Sequence, residues 1–142
     1  MLGRLVPTRV DSPGVEHAFS LFVDLESQAN PFDKLLLRAP AGMQLAFDPS
    51  REHVFAGPAS AFGDRADPKA DGPTDRTVDD VQVLTTGDSL QLSFATVTSG
   101  VEVVRVDFRG TLFSSGGRLQ ALMHNSDDGV WQRVDEEVAR IR

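Results

Sequence analysis

The chain has 142 residues, a length at which one domain can bury a contiguous core without disulfides or a structural metal. Its 40% hydrophobic and 25% charged content excludes disorder over the whole length, and the absence of cysteine excludes disulfides, thiolate metal sites and thiol nucleophiles. The net charge of -7, from 15 Asp and 6 Glu against 12 Arg and 2 Lys, provides no cation cluster for nucleic acid or an anionic membrane surface, and no apolar run is long enough for membrane insertion.

Residues 1–7 lack the apolar segment of a secretory signal. The chain is therefore expected in the cytoplasm if it is full length, and outside the cell or on its surface if it is a module of a longer protein. Strand-like sequence begins at 5–10 and returns at 15–25, where Val15, His17, Phe19, Leu21, Val23 and Leu25 share one face. The apolar run 34–38, the alternation of Met43, Leu45 and Phe47, and the short stretch 53–56 each suit a further strand.

The next segment, 57–80, breaks the pattern. It has three prolines and six aspartates, and apart from Phe62 it is poor in large apolar residues, so it is expected to be a long loop or insertion. Strand patterns resume at 81–84 and 90–97. They are clearest at 101–113, where Val104, Val106 and Phe108 alternate with Arg105, Asp107 and Arg109. Residues 118–124 form another candidate strand, joined to the last by Ser-Ser-Gly-Gly in the manner of a hairpin. At the C-terminus Val134, Val138 and Ile141 share a helical face, so a short helix competes with a last strand.

Turn chemistry separates these runs about every ten residues, through Asp-Ser-Pro-Gly at 11–14, Ala-Pro-Ala-Gly at 39–42 and Asp-Asp-Gly at 127–129 among others. Many short alternating segments with regular turns indicate an all-β fold, an antiparallel sandwich of Ig-like, cohesin-like or jelly-roll type with about eight or nine strands. Residues 1–142 are expected to form one such domain.

Two oxygen-rich segments are candidate sites. Asp64, Asp67, Asp71 and Asp75 could offer carboxylates to calcium, although their spacing of three and four fits no EF-hand loop. Asn125, Asp127 and Asp128 follow a predicted strand and precede Trp131, the only tryptophan, so the loop 125–131 could hold a glycan or a cation with the indole as an apolar platform. A β-turn accounts for the same loop residues. His17, His53 and His124 form no metal-binding spacing, and a zinc site would need them to converge from separate strands. There is no G-x-S-x-G elbow, no G-x-G-x-x-G and no Walker loop.

The run VVRVDFRGTLFSSGGRLQALMHNSDDGVWQRV, residues 103–134, resembles the closing half of Ig-like or cohesin-like sandwich modules of bacterial surface and secreted proteins. That resemblance implies a non-catalytic module that binds another protein, a glycan or a neighbouring domain. The expected function is accordingly an interaction or structural module without enzyme activity or cofactor, partnered by a protein or by copies of itself. The alternatives are a glycan- or calcium-binding sandwich using the loop 125–131 and a small β-barrel or jelly-roll metalloenzyme.

Overall fold

The structure, a computed structural model, describes residues 2–6, 9–10, 12–24, 31–48, 51–58, 81–85, 88–98, 102–114, 117–137 and 140–141. The chain forms β1 (Leu2–Val6), β2 (Arg9–Val10), β3 (Glu16–Asp24), β4 (Phe32–Arg38), β5 (Met43–Ala46), β6 (Val54–Gly57), β7 (Val81–Thr85), β8 (Ser89–Thr98), β9 (Val103–Leu112), β10 (Arg118–Asn125), β11 (Trp131–Glu137) and β12 (Arg140–Ile141). Two five-stranded antiparallel sheets result. Sheet I runs β1-β3-β9, with β5 and β6 both on the far side of β9; sheet II runs β11-β10-β4-β8-β7. A short parallel pair joins β12 to β2.

The sandwich expected from the alternation is the one observed, and the core shows why. In β9 the inward residues Val104, Val106, Phe108 and Leu112 are buried while Arg105, Asp107 and Arg109 face outward. Register places Phe19 opposite Phe108, Leu21 opposite Val106 and Val23 opposite Val104. The rings of Phe19 and Phe108 stack with centroids 5.8 Å apart. Sheet II closes the core from the other side with Leu35, Leu37, Leu90, Leu92, Leu119 and Ala121. Each side chain of this size contributes on the order of 1.5–3 kcal/mol when taken out of water.

One open alternative is resolved and one local expectation is corrected. The C-terminal segment is not helical: β11 pairs with β10 from His124–Trp131 through Arg118–Glu137, and no helix occurs among the described residues. The helical spacing of Val134, Val138 and Ile141 gives way to the open edge of β10, which supplies a ladder partner for each residue from Trp131 to Glu137. The Ser-Ser-Gly-Gly link is not a hairpin either. Both sides of β9 are already taken by β3 and by β5 and β6, so the chain crosses to sheet II, where β10 pairs with β4 and β11.

That crossing lies against the one from β4 to β5. The amide of Phe113 donates to the carbonyl of Gly42 at 2.7 Å. Gly117, at φ +85°, sits so close to Pro40 that an added Cβ would fall 2.5 Å from the proline Cβ. Glycine is required there by conformation and by space together.

Candidate functional site

One constellation occupies the outer face of sheet II where β4, β10 and β11 adjoin. In the ladder, Lys34 of β4 lies opposite His124 of β10, and His124 lies opposite Trp131 of β11. Against β10 the register shifts between Phe32 and Lys34, which face the consecutive residues Asn125 and His124, so Asp33 is an extra residue without a partner in that ladder; against β8 the same step leaves the extra residues on β8. This is a β-bulge, which bends a strand and re-aims a side chain. Here it turns Asp33 onto the imidazole: Oδ1 lies 2.6 Å from His124 Nδ1. The other side of the imidazole meets the indole of Trp131, ring centroids 4.9 Å apart and tilted by 58°.

The adjoining loop is a self-capped turn. The carboxamide oxygen of Asn125 accepts the amides of Asp127 at 2.8 Å and Asp128 at 3.4 Å, and Asp128 Oδ1 accepts the amide of Val130 at 2.9 Å. Asn125 is buried, and its backbone amide donates to the Val130 carbonyl. Of the four residues singled out in 125–131, Asn125 and Asp128 thus spend side-chain oxygens on the turn, while the side chains of Asp127 and Trp131 are exposed. Trp131 is 39% exposed beside the exposed Val130.

The other sequence candidates fare differently. Asp64, Asp67, Asp71 and Asp75, with most of the expected 57–80 loop, lie outside the described residues. The histidines do not converge: His17 Nε2 lies 3.2 Å from the Ser12 carbonyl, His53 packs edge-on against Phe55, and His124 is held by Asp33. Among the described residues no three His, Cys, Asp or Glu side chains are grouped to hold a metal ion.

Sequence reasoning missed Asp33, whose histidine partner is 91 residues away. A signal was nevertheless present, because Phe32 and Leu35 are both buried although three apart, which strict alternation forbids. It missed two polar groupings on sheet I as well. On the outer face, Asp107 Oδ1 accepts Ser20 Oγ at 2.6 Å and Arg105 Nε at 2.8 Å, and the Arg105 guanidinium lies 5.5 Å from the Phe22 ring centre and 5.6 Å from that of Phe55. Between β5 and β6, the buried Glu52 accepts Arg109 Nε at 3.0 Å and the amide of Asp48.

A last feature is an edge. Strand β7, with sequence VQVLT, is hydrogen-bonded to β8 on one side and, among the described residues, ends sheet II on the other. It carries no charged residue, and Leu84 is 60% exposed.

No family model matches the chain, and no curated protein does. Among solved structures it is similar to a DUF4466 family protein from Parabacteroides merdae, at 12% identity and a TM-score of 0.55, over 99% of this chain and 44% of that one. It is also similar to the major pilin subunit of Bacillus cereus, at 10% identity and a TM-score of 0.50, over 91% of this chain and 34% of that one. A third similar structure is that of manganese lipoxygenase of Gaeumannomyces graminis with a partial structure of zonadhesin of Komagataella pastoris, at 17% identity and a TM-score of 0.50, over 94% and 48%. The chain spans less than half the length of each of these three, and the likeness is one of fold.

Proposed function

We propose that the chain is a non-catalytic β-sandwich module that binds another protein or assembles with a neighbouring domain, docking through the edge of β7. The observation that carries this reading is the character of that edge. Unpaired strand edges invite a further strand, and natural proteins blunt them with charge, proline, bulges or shortness. Strand β1 has Arg4, β11 has Arg133, Asp135, Glu136 and Glu137, and β5 and β6 are four residues each. Strand β7 has no charge and no proline, no described strand pairs with its outer side, and its exposed Leu84 adds apolar surface there.

The fold likeness to about a third of a pilin subunit supports reading the chain as a domain-sized part of a larger surface protein. So does the way the described ionisable groups of sheet I are turned on one another, Arg105 to Asp107 and Arg109 to Glu52, tying strands together.

A photo-cross-linking amino acid in place of Leu84, in the cell from which the protein comes, tests the reading. Adducts to a second polypeptide, or a closed intramolecular link to an adjoining domain, are expected at that position. Equal adduct formation at Gln44, an exposed position on β5, or none at Leu84, overturns the proposal.

A further inference from the structure

We infer that the face formed by Asp33, Lys34, His124 and Trp131 is a carbohydrate subsite, taking one pyranose ring of a neutral glycan against the indole. It lies on the β11 side of sheet II, whereas β7 ends the other side, so this site is independent of the protein-docking edge.

Three observations converge. First, the bulge at Asp33 interrupts an otherwise regular ladder at the one place where it brings a carboxylate to a histidine, and such bulges are devices for re-aiming side chains. Second, the indole of Trp131 is 39% exposed, although cross-strand packing against His124 fixes its position. A pyranose presents an apolar face of C–H bonds, for which a rigid, half-exposed aromatic ring is a matching platform with little conformational entropy to lose. Third, the groups around the indole are those a ring of hydroxyls needs. Asp33 fixes Nδ1 of His124, leaving Nε2 as the nitrogen for a ligand hydroxyl. The carboxylate accepts, and the ammonium of Lys34, next along the same face, donates.

Charge selects among sugars. The chain carries a net charge of -7, and the exposed Asp127 sits in the turn joining the strands of His124 and Trp131. Both disfavour uronates and sulfated glycans relative to neutral ones. The polar groups lie in one row beside the indole, His124 next to it and Lys34 on the strand beyond, with Asp33 on the imidazole, an arrangement of a few placed polar groups next to an aromatic surface that suits a small polar ligand.

Trp131 is the only tryptophan, so its emission reports on this site alone. The test titrates the intact chain with methyl glycosides of glucose, galactose, mannose, xylose and N-acetylglucosamine, with their disaccharides, with glucuronate, and with an unrelated extended peptide. A saturable emission change at millimolar concentration is expected for at least one neutral sugar. By calorimetry, Trp131→Ala abolishes that binding, Asp33→Asn weakens it about tenfold through the lost orientation of the imidazole, and Leu84→Lys leaves it unchanged. Melting curves of the variants close to that of the parent show that the fold is kept. The proposal is overturned if no neutral sugar gives a saturable response, if Trp131→Ala binds as the parent does, or if only glucuronate or the peptide responds.

Discussion

The two sheets carry polar residues on their outer faces in the same alternating positions, yet they put them to opposite uses. On sheet I the outward Arg105 is only 13% exposed, because Phe22 and Phe55 flank its guanidinium and its Nε donates to Asp107, which Ser20 in turn holds through its hydroxyl. Phe22, also outward, is 4% exposed. On sheet II the outward Trp131 and Leu84 stand open, and beside the indole His124 is held by Asp33. An arginine between two aromatic rings is a lock, since its planar cation packs and hydrogen-bonds at once. An indole tilted against a histidine and 39% exposed is a platform. Alternation in sequence reports only that a side chain faces out; what its cross-strand neighbours are decides whether it closes the surface or presents it.

The contrast predicts a gradient of stability effects. The largest belongs to Glu52→Ala, which removes the 6% exposed acceptor of the Asp48 amide and the nearer of the two carboxylates at Arg109, leaving that cation only Glu16 at 3.6 Å. A loss of about 3 kcal/mol in urea unfolding is expected, since removing one partner leaves the other poorly compensated. Arg105→Ala comes next, at about 2 kcal/mol, because it removes packing between two rings and leaves Asp107 without its cation. Ser20→Ala deletes one hydrogen bond to Asp107, at about 1 kcal/mol.

On sheet II the effects shrink. His124→Ala is expected to cost under about 1 kcal/mol, because its contact with Asp33 is partly solvated. Leu84→Lys is expected to fall within about 0.5 kcal/mol of the parent, as a surface change away from any network. If either sheet II substitution destabilised the chain as much as Arg105→Ala, the distinction between a locked and an open face would collapse. Hydrogen exchange sharpens it further: amides of β3 and β9 should be the slowest, and those of β7 among the fastest, since β7 pairs on one side only.

How far the sequence led is best seen strand by strand. The alternation at 101–113 was legible because β9 sits at the centre of sheet I with one face in the core, the situation that forces period two. Its sheet neighbours were not legible. A glycine-rich link is compatible with a hairpin or with a crossing between sheets, and the choice depends on which edges other strands have already filled. The C-terminal strand was ambiguous for the same reason, since its local helical spacing competed with an edge invisible in the sequence. Trp131 and the loop before it stood out by composition, and the structure places them beside a histidine that sequence could weigh only as a metal ligand. The polar pairs were beyond reach: Asp33 with His124, Ser20 with Asp107 and Glu52 with Arg109 are 91, 87 and 57 residues apart, and local patterns carry no information at those separations.

The division of one side of β9 between β5 and β6 has a consequence for how copies of this molecule can be arranged. Of the four sheet edges, β1 and β11 approach one another, and the β5–β6 edge is two strands of four residues interrupted by the turn that carries Glu52. An incoming strand there meets a break after four residues, whereas β7 presents the outward amides and carbonyls of alternate residues along five unbroken residues. Among the described strands, β5 and β6 thus offer an added strand less continuous backbone than β7 does. The break works against edge-to-edge pairing on that side of sheet I, because a ladder cannot run past the turn between the two short strands.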